Sequence, residues 1–335
     1  MSGEYLPAVV ADLQQMVVAA LPRWQLSAAT AVRVLNLSEN ATFALHCPRR
    51  DRQLVLRVHR IGYSAVEEIR SELAWIEALR NDGVVETVTP VAGNDGEFVQ
   101  TLPSPAGRAA RQAVAFERLP GYEPDPAGDA VSWFARLGEL TARMHTHARH
   151  WQRPAGFRRK RWHLPAMLGP EAFWGSWRAA AGLTPKGSVV IERAVSLIEQ
   201  RLAQFGDGPD RFGLIHADLR LANLLVDGDH LRIIDFDDCG FSWFLYDFAT
   251  AVSFMEDHPV VPALLAAWVD GYRRAALLSP QEVAELPTFV VLRRIVLSAW
   301  LASHAEVPAA RQFGSTYTDG TVLLAQRLLD GTLFG

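Results

Sequence analysis

One stretch constrains this chain more than any other. It is Leu214-Ile-His216-Ala-Asp218-Leu-Arg220-Leu-Ala-Asn223-Leu-Leu-Val226, followed by Leu231-Arg-Ile-Ile-Asp235-Phe236-Asp237-Asp238. An apolar run ends at His216 and Asp218, and Asn223 follows five positions after Asp218. Leu224 to Val226 reads as a short buried strand, Asp227-Gly228-Asp229 as a tight turn, and Leu231 to Ile234 as the returning strand. Such a hairpin brings Asn223 and Asp235 close in space, at the start of one strand and the end of the other. An amide oxygen and a carboxylate held this way are hard ligands suited to Mg2+. Asp218, one loop away, can face a hydroxyl near that metal. Phosphoryl transfer needs this layout: metal ligands for the nucleotide phosphates, and a carboxylate to accept the proton of the attacking hydroxyl. The plain alternative is an ordinary hairpin with polar ends, but that reading leaves the spacing of the three residues unexplained.

Composition narrows the setting. The chain has 335 residues, 49% of them apolar and 21% charged, ordinary values for one large or two modest globular domains. A net charge of −4 gives no reason to expect nucleic acid as a partner. Cys47 and Cys239 lie far apart and form neither a metal spacing nor a disulfide framework, so a reducing cytoplasm is the expected setting. The first residues lack the basic-then-apolar pattern of a signal peptide, and the apolar run 260–269 is too short to span a bilayer, so no membrane partner is expected. The oligomeric state is not legible.

In the first half, an apolar stripe predicts a helix over 5–21, and strands are predicted at 32–35, 42–45 and 54–59. The loop 36–41 between the first two is polar; Ser38 and Asn40 there are candidates to cover nucleotide phosphates with hydroxyl and backbone donors. A helix over 64–79 carries Glu72 inside its apolar stripe, a place where a carboxylate needs a partner. Further strands are expected at 89–91, 97–100 and 113–119. From position 124 the pattern turns helical, with helices at 133–151, 188–205, 262–277, 280–304 and 321–329, and no strand beyond the hairpin and a short pair flanking it. His145, His147 and His150 have poor metal spacing and read as packed or surface histidines. The basic run 153–163 reads either as a solvated loop or as a site for an anionic group. Glu256 and Asp257 read as solvated charges or as a cation site.

The central stretch resembles the catalytic loop and metal-binding segment of the aminoglycoside phosphotransferase and choline kinase superfamily, the small-molecule branch of the protein-kinase-like fold. There the pattern is His-Gly-Asp, then Asn, then Asp-Phe-Asp or Asp-Trp-Glu. Here Ala217 takes the place of the glycine, and Asp237 stands where protein kinases carry glycine. The resemblance implies an α+β, two-lobed fold: a small antiparallel-sheet lobe over 1–119 that binds nucleotide, and a mainly helical lobe over 120–335 with the catalytic loop. It implies an ATP- and Mg2+-dependent kinase acting on a small-molecule hydroxyl, aminoglycoside, choline or homoserine-like. Asp218 would be the base, with His216 shaping its loop and Arg220 steadying the transferred group; Asn223 and Asp235 would hold the metal. The superfamily usually has a lysine on the third strand, but this chain has no lysine before Lys160, and Arg57 stands at that place. Glu72 is its expected partner, with Glu68 as a rival. Backbone groups near Glu117 and Leu119 would bond adenine. Two alternatives stay open at this level: a bacterial Ser/Thr protein kinase, and a pseudokinase scaffold that binds nucleotide.

Overall fold

A computed structural model describes residues 7–38, 40–48, 51–126, 128, 130–305 and 307–334. Tyr5, Leu6 and Glu39, which fall within the expected first helix and the polar loop, lie outside the described residues. The chain divides into two compact units. The first comprises residues 1–78, 87–120 and 153–158; the second comprises 79–86, 121–152 and 159–335. The end of one helix goes with the second unit, and a six-residue piece from beyond position 150 goes with the first.

The first unit is an antiparallel sheet with two helices. Its strands are β1 (Ala31–Leu37), β2 (Ala41–Cys47), β3 (Arg52–Val58), β4 (Pro90–Val91), β5 (Val99–Leu102) and β6 (Arg111–Glu117). They run in the order β1-β2-β3-β6-β4, with β5 also paired to β6. Alternation sets the faces: Phe43, Leu45, Leu54, Leu56 and Val58 go inward. They form one core with Leu13, Met16 and Val17 from α1 (Pro7–Ala20) and with Trp24. Helix α2 (Val66–Asn81) buries Ile69, Leu73, Ile76 and Leu79, the residues of its sequence stripe.

The second unit is mainly helical: α3 (Ala130–His150), α4 (Leu164–Leu168), α5 (Pro185–Phe205), α6 (Tyr246–Ala251), α7 (Val261–Arg273), α8 (Pro280–Ser303) and α9 (Pro308–Leu329). Helix α9 starts well before the predicted 321, because Gly314 adopts a non-helical, positive-φ conformation that breaks the periodicity inside it. Two small sheets carry the loop ends. The hairpin pairs β9 (Leu224–Asp227) with β10 (His230–Ile233). A three-stranded sheet places β11 (Gly240–Trp243) between β7 (Lys160–Arg161) and β8 (Phe212–Ile215). Strand β7 escaped the sequence reading because two residues have no period. Helix α8 is long and apolar enough to cross a bilayer by length and composition, but 78% of its apolar window is buried inside the protein.

Helices α3 and α7 approach each other through glycine. A Cβ on Gly138 would lie 2.1 Å from the Trp268 carbonyl oxygen, and one on Gly271 would lie 1.8 Å from that of Ala135. Backbone cannot step aside as a flexible side chain can. Gly138→Ala should therefore destabilise the protein by at least about 1–3 kcal/mol, the usual range for overpacking. Denaturant unfolding of the variant checks this; a midpoint equal to wild type would show that the helices can separate at little cost.

Candidate active site

The loop between β8 and β9 is irregular up to a single 3-10 turn at Leu221–Asn223, yet its first backbone N–H groups are bonded one after another. The buried carboxylate of Asp247, at the start of α6, accepts from His216 N–H at 3.2 Å and from Ala217 N–H at 2.7 Å. Asp218 N–H donates to His216 Nδ1 (3.2 Å), Leu219 N–H to the Thr250 hydroxyl (2.9 Å), and Asn223 N–H to the Arg220 carbonyl (2.8 Å). With its donors satisfied locally, an irregular segment can be buried. Ala217 has φ +65°, the left-handed region that costs a non-glycine residue about 1–2 kcal/mol. The two Asp247 bonds hold the turn there, and this is the position at which the resemblance expects glycine.

Asp218, Asn223 and Arg220 converge. The Asn223 amide donates to the Asp218 carbonyl (2.8 Å) and to its Oδ2 (2.7 Å), and Arg220 Nε lies 3.2 Å from the same Oδ2. Burial alone would raise the Asp218 carboxyl, but the charges of Arg220 and Arg293 outweigh it and hold the group below its ordinary value of 3.8. It is thus a carboxylate at neutral pH, able to accept a proton. His216 ties the loop to the segment beyond the hairpin. Its Nδ1 accepts from Asp218, so its Nε2 carries the proton and donates to the Ile234 carbonyl at 3.1 Å.

Asn223 and Asp235 fit a hard cation. The Asn223 amide nitrogen is committed to Asp218, and among the described residues no hydrogen bond reaches its amide oxygen. Ile234 N–H donates to the Asn223 carbonyl at 2.9 Å, which brings the residue before Asp235 against Asn223. Asp235 is exposed and has φ +61°, a backbone conformation uncommon outside glycine and often found at functional sites. One amide oxygen and one carboxylate suit Mg2+, which keeps places for water and phosphate.

The basic run is neither a solvated loop nor an anion site throughout. Arg159 is buried and donates to the carbonyls of Asp237 and Cys239, the latter at 2.6 Å. Lys160 pairs with Asp238 at 3.0 Å, and Trp162 Nε1 donates to the Asp238 carbonyl at 2.8 Å. This segment clamps the backbone that follows Asp235. No sequence signal marks it, because most of its partners are main-chain carbonyls and the Lys160–Asp238 pair spans 78 positions. The histidines do not converge: His145 is buried against Asp247, His147 contacts Asp82, and His150 bonds the Thr146 carbonyl. Glu256 corrects both earlier readings. It is buried, bonded to Arg294 at 2.6 Å and to the Tyr317 hydroxyl at 3.2 Å.

In the first unit, one guanidinium nitrogen of Arg57 lies 2.6 and 2.7 Å from the two oxygens of Glu72. Both side chains are buried. Glu68 instead accepts from Ala65 N–H at its own helix start. Ser38 N–H donates to the Asn40 carbonyl (3.0 Å), while the Asn40 side chain is buried and accepts from Arg60 N–H at 3.2 Å. Glu117 N–H is taken by the Thr89 carbonyl at 2.9 Å; no hydrogen bond among the described residues reaches the backbone of Leu119.

Two outcomes are expected. Removing one partner of a buried ion pair costs roughly 3–5 kcal/mol, whereas replacing both with apolar residues can be nearly neutral. Glu72→Leu should therefore destabilise the protein strongly and Arg57→Met/Glu72→Leu much less, as read by denaturant unfolding; equal losses would deny a coupled pair. The second concerns pH. Burial pushes His145 below its ordinary 6.5, against the pull of Asp247. Its Nε2–H donates to Asp247, and its Nδ1 accepts from the Tyr272 hydroxyl (3.0 Å each). The unfolded chain protonates this histidine at pH values where the folded one does not, so stability is present above the unfolded value and falls as pH drops below it. Between roughly pH 7 and pH 5, His145→Gln should lose less unfolding free energy than wild type. An unchanged pH slope would show that His145 titrates alike in both states.

The model of the phosphotransferase enzyme family matches residues 30–285. The solved microcompartment-associated aminopropanol kinase is 42% identical, with a TM-score of 0.87, covering 95% of this chain and 98% of its own. An amicoumacin kinase solved with AMP-PNP, Ca2+ and Ami is 23% identical, with a TM-score of 0.76, covering 96% and 94%. The amicoumacin kinase of Bacillus subtilis (strain 168) is 23% identical over 277 residues, 79% of this chain and 78% of that protein. These neighbours share the two-lobed protein-kinase-like fold. The family match runs from β1 through the loop and the segment after the hairpin into α8, and the chain belongs to the phosphotransferase enzyme family, as a kinase with an alcohol group as acceptor.

Proposed function

We propose that this enzyme transfers the γ-phosphoryl group of ATP, with Mg2+, to the hydroxyl of a small amino alcohol such as aminopropanol. The observation that carries the reading is the Asp218 carboxylate: ionised, fixed at both oxygens, and tied to Asn223 next to the segment that holds Asp235. The 42% identity to an aminopropanol kinase supports an amino alcohol acceptor, and the AMP-PNP and Ca2+ bound by the amicoumacin kinase support ATP with a divalent cation.

In this reading Asp218 takes the proton as the acceptor O–H bond breaks. The acceptor oxygen forms a bond to the γ-phosphorus, and the bond to the bridging oxygen breaks, leaving ADP with the electron pair. The Asn223 amide oxygen and the Asp235 carboxylate hold the metal, which when bound offsets charge on the phosphate oxygens. Arg57, oriented by Glu72, holds the α- and β-phosphates; arginine keeps the charge of the expected lysine and adds a planar fork. The Leu119 N–H serves adenine, and Ser38 covers phosphate. The buried Asn40 amide contributes through the loop it holds in place.

Asp218→Asn should lower kcat by about 10²–10⁴-fold while ATP binding stays close to wild type, the range for a positioned general base. ADP release measured at saturating ATP and Mg2+, over aminopropanol, choline, homoserine and an aminoglycoside, tests base and acceptor together. Near-normal turnover in the variant would dismiss Asp218 as the base, and a preference for the aminoglycoside would dismiss the small amino alcohol. In titration calorimetry, Asp235→Ala should lose the Mg2+-dependent part of ATP affinity; full retention would move the metal to other ligands.

A further inference from the structure

Arg293 lies 75 positions beyond Asp218 in sequence, on α8, and its Nη2 donates to Asp218 Oδ1 at 2.7 Å. The guanidinium is itself fixed. Its Nε donates to the Ser253 hydroxyl at 2.9 Å, and its Cζ lies 5.4 Å from the Trp174 ring centre and 5.9 Å from that of Tyr246. The side chain is 2% exposed, against 28% for Arg220, the other cation on the carboxylate. The turn presenting Ser253 is strained, since the next residue, Phe254, has φ +68°, an outlier for a bulky aromatic residue. The Phe254 ring stacks on Phe313 at 4.9 Å and also packs near Trp300 and Tyr317, which hold it there.

The carboxylate lone pairs then divide unequally. A carboxylate has about four acceptor sites, two per oxygen. Oδ2 takes two donors, Asn223 and Arg220, whereas Oδ1 takes Arg293. One site on Oδ1 is left for an incoming hydroxyl. Arginine has no acceptor of its own and stays protonated, so it cannot compete for the proton.

We propose that Arg293 is a positioning residue for the transfer step: it holds the Asp218 carboxylate in one orientation, with Oδ1 as the oxygen that takes the acceptor's proton. This rests on the reading of Asp218 as the base. A group mounted on a packed helix keeps the base within the narrow tolerance of the reaction geometry, where a misplacement of about 1 Å can cost 10²-fold.

The test measures kcat, KM for acceptor and ATP, ATP affinity by calorimetry, and thermal midpoint for Arg293→Met, Arg293→Lys, Arg293→Ala and Ser253→Ala. Arg293→Met should lose about 10²-fold in kcat with ATP affinity unchanged. Arg293→Lys should recover part of the loss, and Ser253→Ala should show a smaller loss of the same kind. Added guanidinium should raise the rate of Arg293→Ala saturably, a response that a purely structural role would not give. Wild-type kcat in Arg293→Met, or loss of ATP affinity in step with kcat, would overturn the proposal. If Arg293→Met does not fold, unchanged kcat in both Arg293→Lys and Ser253→Ala overturns it equally. Asp218→Asn separates the two readings: an active Asp218→Asn removes the base assignment, whereas an inactive one beside a fully active Arg293→Met removes only the role of Arg293.

Discussion

The candidate site depends on one buried carboxylate, at the start of α6. Asp247 accepts the N–H groups of His216 and Ala217 and the ring of His145, all within a part of the second unit shielded from water. An irregular loop has no ladder to satisfy its backbone, and leaving donors unpaired there would cost about 1–3 kcal/mol each. Asp247 supplies the missing acceptors and so allows Ala217 its left-handed turn. That turn sends the chain toward Asp218. Neutral His145, between Asp247 and the Tyr272 hydroxyl, connects this arrangement to α3 and α7.

Arginine carries most of the positioning. Arg57 grips Glu72, Arg293 grips Asp218, Arg294 grips Glu256, and Arg159 holds two main-chain carbonyls. Arginine is weakly hydrated for a cation and offers several donors in a rigid plane, so it can be buried beside a carboxylate or a carbonyl with its geometry fixed. Arg293 and Arg294 are neighbours on α8 yet face different partners, one toward the loop that carries Asp218 and the other toward α9. A single helix thereby joins Asp218 to the packing of α9.

The legible residues were those with close neighbours in sequence. Asp218 and Asn223 are five residues apart, so a short turn of chain must bring them together, and the two-residue-period hairpin then sets where Asp235 emerges. Glu72 was legible because a carboxylate in an apolar helical stripe requires a cation. Arg293 sends a weaker signal of the same kind, two adjacent arginines inside the run Phe289 to Leu297, but nothing local names its partner. Arg159 left no trace, since main-chain carbonyls are the same everywhere in a sequence. Glu256 reads in sequence as a solvated charge or a cation site because its partner, Arg294, lies 38 positions away.

By itself, then, the sequence determined the antiparallel sheet, the helical second half, and the motif that places a carboxylate, an amide and a second carboxylate within one loop and hairpin. These follow from local steric rules and the periods of strand and helix. The tertiary structure alone decided which cation meets which carboxylate, that Arg293 holds Oδ1 while Asn223 and Arg220 hold Oδ2, and that the run after Arg158 clamps the segment beyond Asp235. Those pairings join residues tens of positions apart. Their partners are chosen by packing and by the cost of burying an unpaired charge, and neither has a local pattern to read.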